Sequence, residues 1–100
     1  MTKMTGATVL TTVLEQAGIT VVSGIPGHTV GDFALAVGAN RTFTRILPRH
    51  ESTAAFAADV YFRVSGRLMA AFTHAFPGAG NALTAVANAY ADYSSLRFIT

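Results

Sequence analysis

Four short apolar runs recur along the chain, each separated from the next by a longer stretch with helical spacing: Ile19 to Ser23, Thr42 to Leu47, Leu68 to Thr73, and Arg97 to Thr100. Strands exposed on one face alternate polar and apolar residues, whereas these runs are close to continuously apolar. Such strands belong to a parallel sheet covered on both faces by helices. The pattern therefore predicts an α/β fold, doubly wound, with a mainly parallel sheet. The last run begins a fourth strand and stops within it. An apolar strand left open is a pairing hazard, so residues 1–100 read as the front part of a larger domain.

The intervening segments show helix punctuation. Thr5 to Gln16 carries apolar residues at Ala7, Leu10, Val13 and Leu14, and Gly18 stands where a terminating glycine is expected. Thr29-Val-Gly-Asp32 has the spacing of a capping box, with Thr29 as N-cap of a helix through Val37. Glu51 to Val64 forms the next helix, closed by Ser65-Gly66, and Asn81 to Tyr93 the last. Gly24 to Gly27 and Phe76-Pro-Gly-Ala-Gly80 read as turns. Alanine at 82, 85, 87, 89 and 91 suits a helix in a core or subunit interface, and Arg63 and Arg67 read as cations complementing a helix end.

Composition removes several classes of function. Charged residues make up only 12% and hydrophobic ones 51%, which implies that faces of so short a unit are covered by a partner or further chain. The few basic residues form no stripe, so nucleic acid is not an expected partner. Cysteine is absent, which removes disulfides and thiolate metal sites. Residues 1–6 lack the pattern of a secretory leader, and no apolar run is long enough to span a bilayer, so no membrane role and a cytoplasmic location are expected.

Ligands of open parallel sheets collect at the carboxyl ends of the strands. The loops there are Gly24 to Thr29, Pro48 to Glu51 and His74 to Asn81. Glu51 follows Arg49-His50 where a strand hands over to a helix, with Ala54-Ala-Phe-Ala-Ala58 close behind. A carboxylate so placed is either a charge complementing the helix dipole or a group held with a shifted pKa for chemistry. His28, His50 and His74 all fall in these loops, and imidazole is the side chain best suited to proton transfer near neutral pH. No close pair spacing among them supports a metal site. The glycine-rich loops match neither the P-loop nor the dinucleotide-binding spacing.

Taken in order, Gly6-Ala7, Ser23-Gly-Ile-Pro-Gly27, Arg49-His-Glu51, Ala54-Ala-Phe-Ala-Ala-Asp59 with Tyr61 and Arg63, Ser65-Gly66, Pro77-Gly-Ala-Gly-Asn81 and Ala87-Asn-Ala-Tyr-Ala-Asp92 are specific. Together they resemble the N-terminal pyrimidine-binding domain of thiamine-diphosphate-dependent enzymes, the superfamily of acetolactate synthase, benzoylformate decarboxylase and pyruvate oxidase. The resemblance implies that Glu51 hydrogen-bonds N1′ of the aminopyrimidine ring and favours the imino tautomer that activates the thiazolium carbon. A carboxyl group against apolar side chains is expected to have a raised pKa for this task. The resemblance also implies cofactor contacts from Ile25, Pro26, Gly27, Pro77, Gly78 and Asn81, and an acid/base or substrate role for His74 and His28. His74 stands where the benzoylformate decarboxylase branch has an active-site histidine, while His50 suits a structural role equally well.

Val60, Phe62, Phe76 and Ser95 depart from the family's usual residues, which leaves the 2-oxo acid and the acceptor undefined. In the family the diphosphate and its Mg²⁺ are held by a separate domain through a Gly-Asp-Gly to Asn-Asn motif that this chain lacks, and the site forms between two subunits. The implied function is the pyrimidine side of a 2-oxo-acid decarboxylase or carboligase. The alternatives are a non-catalytic split or truncated subunit beside a diphosphate-binding chain, and a small anion-binding module using Gly78 to Asn81.

Overall fold

Residues 3–100 are described by a computed structural model; Met1 and Thr2, where the reading against a secretory leader begins, lie outside it. Elements alternate along the chain: α1 (Gly6–Gln16), β1 (Val21–Gly24), α2 (Gly31–Ala39), β2 (Thr44–Ile46), α3 (Glu51–Ser65), β3 (Ala70–Phe72), α4 (Ala75–Ala91) and β4 (Arg97–Ile99). The strands form one parallel sheet in the order β2-β1-β3-β4. The α/β expectation holds. All four strands are shorter than the apolar runs that announced them, although flanking residues still bond across the sheet, Thr20 O to Thr44 N–H at 2.7 Å and Thr73 N–H to Ile99 O at 2.9 Å.

Side chains of a strand alternate between faces, and here the alternation separates two cores. Val22, Ala70 and Phe72 face α1 and α2, packing with Leu14, Ile19, Val30, Phe33, Val37 and Phe43. Phe33 meets Phe72 edge-on, with ring centroids 5.5 Å apart. On the other face, Ala71 and Met69 pack with Ala54, Ala55 and Ala58 of α3 and Ala82 and Ala85 of α4. This second core is built almost wholly from alanine, so α3 and α4 approach closely along a seam of methyl groups.

Local chemistry accounts for most helix ends. Thr5 caps α1 by accepting the Thr8 amide at 3.1 Å. Gly66 closes α3 with φ 71°, a left-handed conformation that costs glycine nothing. Two expectations fail. The segment Phe76 to Gly80 is not a turn: α4 starts at Ala75, six residues before Asn81. Pro77 sits in the first helical turn, where backbone N–H groups lack helical partners anyway and its missing donor costs nothing. Thr29 does not cap α2 either; His28 to Val30 form a 3₁₀ turn, and α2 begins at Gly31 without a side-chain cap.

Arg63 does more than complement a helix end. Its Nε donates to Asp59 at 2.7 Å and its terminal nitrogen to Asp92 at 3.0 Å, while Asn88 adds a 3.1 Å bond to Asp59. Asp59 is only 2% exposed, and these donors, Arg63 foremost, hold its carboxyl below the usual carboxylate range. The network ties α3 to the far end of α4. Among the described residues, no helix is long and apolar enough to cross a membrane.

Candidate active site at the switch point of the sheet

From β1 the chain passes through α2 to β2 on one side of the sheet. From β3 it passes through α4 to β4 on the other. The loops after β1 and β3 therefore diverge, which opens a crevice between them at the carboxyl edge, the usual ligand position in open α/β sheets. The start of α4 lies in this crevice, flanked by two groups of side chains.

Glu51 is the first residue of α3, directly after β2 and its short loop. His50 caps that helix, its Nδ1 accepting the Ser52 amide at 3.2 Å beside a 2.7 Å contact with the Ser52 hydroxyl. This assigns His50 a structural task. Asn81, two turns into α4, donates from Nδ2 to Glu51 Oε2 at 3.0 Å. Helix-dipole placement and engagement by a neighbour thus coexist at Glu51. The expected raised pKa is not found. The Asn81 amide, then Glu51's own backbone N–H, hold the carboxyl below its ordinary value and outweigh burial, which pushes the other way; nearby His50 adds a smaller lowering effect.

Gly78 makes this arrangement possible. A Cβ there would lie 3.0 Å from the Thr73 Cβ and 3.5 Å from Glu51 Cγ, so the missing side chain lets the helix start settle closely onto the strand end. Thr73 beneath it is fully buried, and its hydroxyl has no hydrogen-bond partner among the described residues. An unsatisfied buried hydroxyl is uncommon and costs about 1–3 kcal/mol. It was not anticipated, since threonine at a strand end carries no signal in sequence.

The second group surrounds His74, the residue before α4. Thr29 reaches across from the loop after β1: its backbone N–H lies 3.3 Å and its hydroxyl 3.2 Å from His74 Nδ1, and the hydroxyl also accepts the Ala75 amide at 2.9 Å. The backbone of Gly27 presses on the imidazole, where a Cβ would fall 2.5 Å from His74 Cβ. Thr29 thus caps α4 from a distant loop. His74 holds the N-cap position but, unlike His50 before α3, makes no cap bond of its own.

The structure brings Glu51, Asn81 and Gly78 into one contact set and Gly27 and His74 into another, both at the α4 N-terminus. It does not join the remaining candidates to them. His28 is exposed and makes no side-chain hydrogen bond, and Pro77 is exposed on the first turn of α4. Pro26 instead lines a cavity of about 300 Å³ on the α2 face, with Gly24, Arg45, Leu47 and Phe72, and Ile25 is half-buried beside it in sequence. Of the unusual residues, Val60 and Phe76 both stand on the surface. Among the described residues, no three His, Asp or Glu side chains group to hold a metal ion.

Comparison with known proteins supplies the wider setting. The family model for the thiamine pyrophosphate enzyme, N-terminal TPP binding domain, matches residues 4–100. Acetolactate synthase isozyme 1 large subunit of Escherichia coli is 37% identical over 98 residues, which are 98% of this chain and 17% of that protein. A Pseudomonas aeruginosa protein described as a 2-ketoarginine decarboxylase is 38% identical over 98 residues, 97% of this chain and 17% of its own length. A solved structure, described as a thiamin diphosphate-dependent enzyme of Mycobacterium smegmatis, superposes with a TM-score of 0.84 at 27% identity, covering 96% of this chain and 18% of its own. The chain therefore spans 17% of the length of each of these two curated relatives.

Proposed function

The chain belongs to the family of thiamine pyrophosphate enzyme N-terminal domains, and on that premise we propose that it forms the pyrimidine side of a 2-oxo-acid decarboxylase or carboligase. The observation that carries the reading is Glu51 itself, a carboxylate at the switch-point crevice with one oxygen fixed by Asn81. In this reading residues 1–100 are part of a larger pyrimidine-binding domain, and a separate domain or subunit completes the site by holding the diphosphate and its Mg²⁺.

The residues suit the cofactor. Asn81 engages Glu51 Oε2 and leaves Oε1 for a ring nitrogen, and Thr73, whose hydroxyl has no partner among the described residues, sets its Cβ against the same glycine as the Glu51 side chain. When bound, thiamine diphosphate supplies the carbanion chemistry, and the protein supplies orientation and proton control. Glu51 shares a proton at its free oxygen with the ring nitrogen. Covering the crevice with ligand and partner enlarges the burial effect that already opposes Asn81, which moves Glu51 toward the protonated form its task needs. His74 stands before α4 as the second proton-handling group with Gly27 against its ring, and in this reading Ile25, Pro26 and His28 of the same loop would meet cofactor and substrate once the site is completed.

Glu51→Gln in the complete protein tests the reading. Turnover is expected to fall nearly to background while circular dichroism and the melting profile stay those of the parent; full activity in the variant refutes the assignment. Calorimetry separates the reading from a plain anion-binding module, which would bind simple phosphates as well as thiamine diphosphate.

A further inference from the structure

We propose that Thr29 is a positioning residue for His74, holding its imidazole in the tautomer protonated on Nε2 while the same hydroxyl caps α4. The inference deepens the reading of His74 given above and rests on it for its functional meaning.

The hydrogen-bond inventory fixes the tautomer. Thr29 Oγ1 accepts the Ala75 amide at 2.9 Å through a lone pair, which leaves its own proton to donate. His74 Nδ1, at 3.2 Å, is the acceptor within reach. The Thr29 backbone N–H points at the same nitrogen from 3.3 Å, and an N–H can only donate. Two donors converging on Nδ1 require a lone pair there, so the proton of the neutral ring is on Nε2. The loop after β1 also closes one side of the ring: a Cβ at Gly27 would fall 2.6 Å from His74 Cγ and 2.7 Å from Nδ1, so the loop backbone lies close to the imidazole.

The consequence is chemical. Nε2–H has no protein partner among the described residues and meets a ligand as a hydrogen-bond donor. It suits an oxygen acceptor, the carbonyl or carboxylate of a 2-oxo acid. Because α4 and His74 share one hydroxyl, the helix start and the histidine are held in a single register.

The test uses the full chain with ¹⁵N-labelled histidine, His74→Gln identifying the resonances among the chain's three histidines. In the parent and in Thr29→Ser, Nδ1 is expected to be pyridine-type and Nε2 pyrrole-type. Thr29→Asp keeps an acceptor for the Ala75 amide, so α4 stays capped, but its carboxylate cannot donate. The backbone N–H at position 29 remains, but a charge-assisted bond to the carboxylate is about twice as strong as a neutral one. The pattern at His74 should therefore invert, with Nδ1 becoming pyrrole-type while the melting profile stays that of the parent. A parent ring protonated on Nδ1, or a folded Thr29→Asp variant with the parent pattern, overturns the proposal and leaves Thr29 as a helix cap only. If the inversion is seen but His74→Gln retains full turnover in the complete protein, the tautomer assignment stands and the acid/base reading of His74 falls.

Discussion

Gly78 and Gly80 lie in the same first turns of α4, yet alanine at the two positions should move stability in opposite directions. Glycine inside a helix costs about 1 kcal/mol relative to alanine, so each substitution starts with a gain of that order. At Gly80 nothing lies within 4 Å of an added Cβ. Gly80→Ala should therefore stabilise the chain by about 0.5–1 kcal/mol, or roughly 4–8 °C per kcal/mol in melting temperature for a domain of this size. At Gly78 the new methyl meets Thr73 Cβ at 3.0 Å. Thr73 is buried and β-branched, and its backbone N–H is bonded to the Ile99 carbonyl at 2.9 Å, so it cannot retreat. Overpacking of this kind costs about 1–3 kcal/mol. Set against the helix gain, Gly78→Ala should range from roughly neutral to about 2 kcal/mol destabilising, leaving a gap of about 1–3 kcal/mol between the variants. Urea unfolding followed by far-ultraviolet circular dichroism measures both. Equal stabilisation by the two alanines would refute the idea that α4 is wedged onto the strand end.

The buried carboxylate of α3 offers a second test. Asp59→Ala should cost about 2 kcal/mol, a figure kept low because Arg63 is 39% exposed and can return to water. The folded-state pKa of Asp59 is depressed, chiefly by Arg63, so its stabilisation is complete above the ordinary carboxylate value of about 3.9. It is lost as the pH falls through the lower folded value, and parent and variant melting temperatures should converge in acid; a constant difference down to that range excludes the ionic contribution. Asn81→Ala removes the main cause of the low Glu51 pKa, so the Glu51 carboxyl should titrate at higher pH in ¹³C spectra. An unmoved titration shows that the amide is not what holds it.

The fold was readable because its central strands β1 and β3 are buried between two helical layers and carry no charged residue, although β2 (Thr44–Ile46) is exposed throughout. Strand limits were not, since a strand ends where its neighbour does: β4 spans only Arg97–Ile99 and sets the paired length of β3. Pro77-Gly78 looks like a turn in any local window, and only its position in the first helical turn makes the pair harmless there. The residue that caps this helix lies 46 positions earlier, so no local pattern contains it. Glu51 and Asn81 each stood out as candidates in the sequence, but their bond joins residues 30 apart and exists only once two helices have packed. Packing also reversed the expected direction at Glu51, because a single well-aimed amide outweighs partial burial. Arg63 was read only as a cation at a helix end, without its bond to Asp59; the burial that shares Asp59 with Asn88 exists only once α3 and α4 have packed.

The alanine seam between α3 and α4 acts as a gauge block. Both helices start at the same edge of the sheet, one with Glu51 and the other carrying Asn81, and the methyls of Ala54, Ala55 and Ala58 against Ala82 and Ala85 fix how far apart those starting points stand. The reach of the amide to the carboxylate is thereby calibrated from about two helical turns away, by side chains with no polar atom. One extra carbon at Ala58 would be felt at the crevice as a change of width, so the proton affinity of Glu51 can be retuned without altering a single residue that touches it.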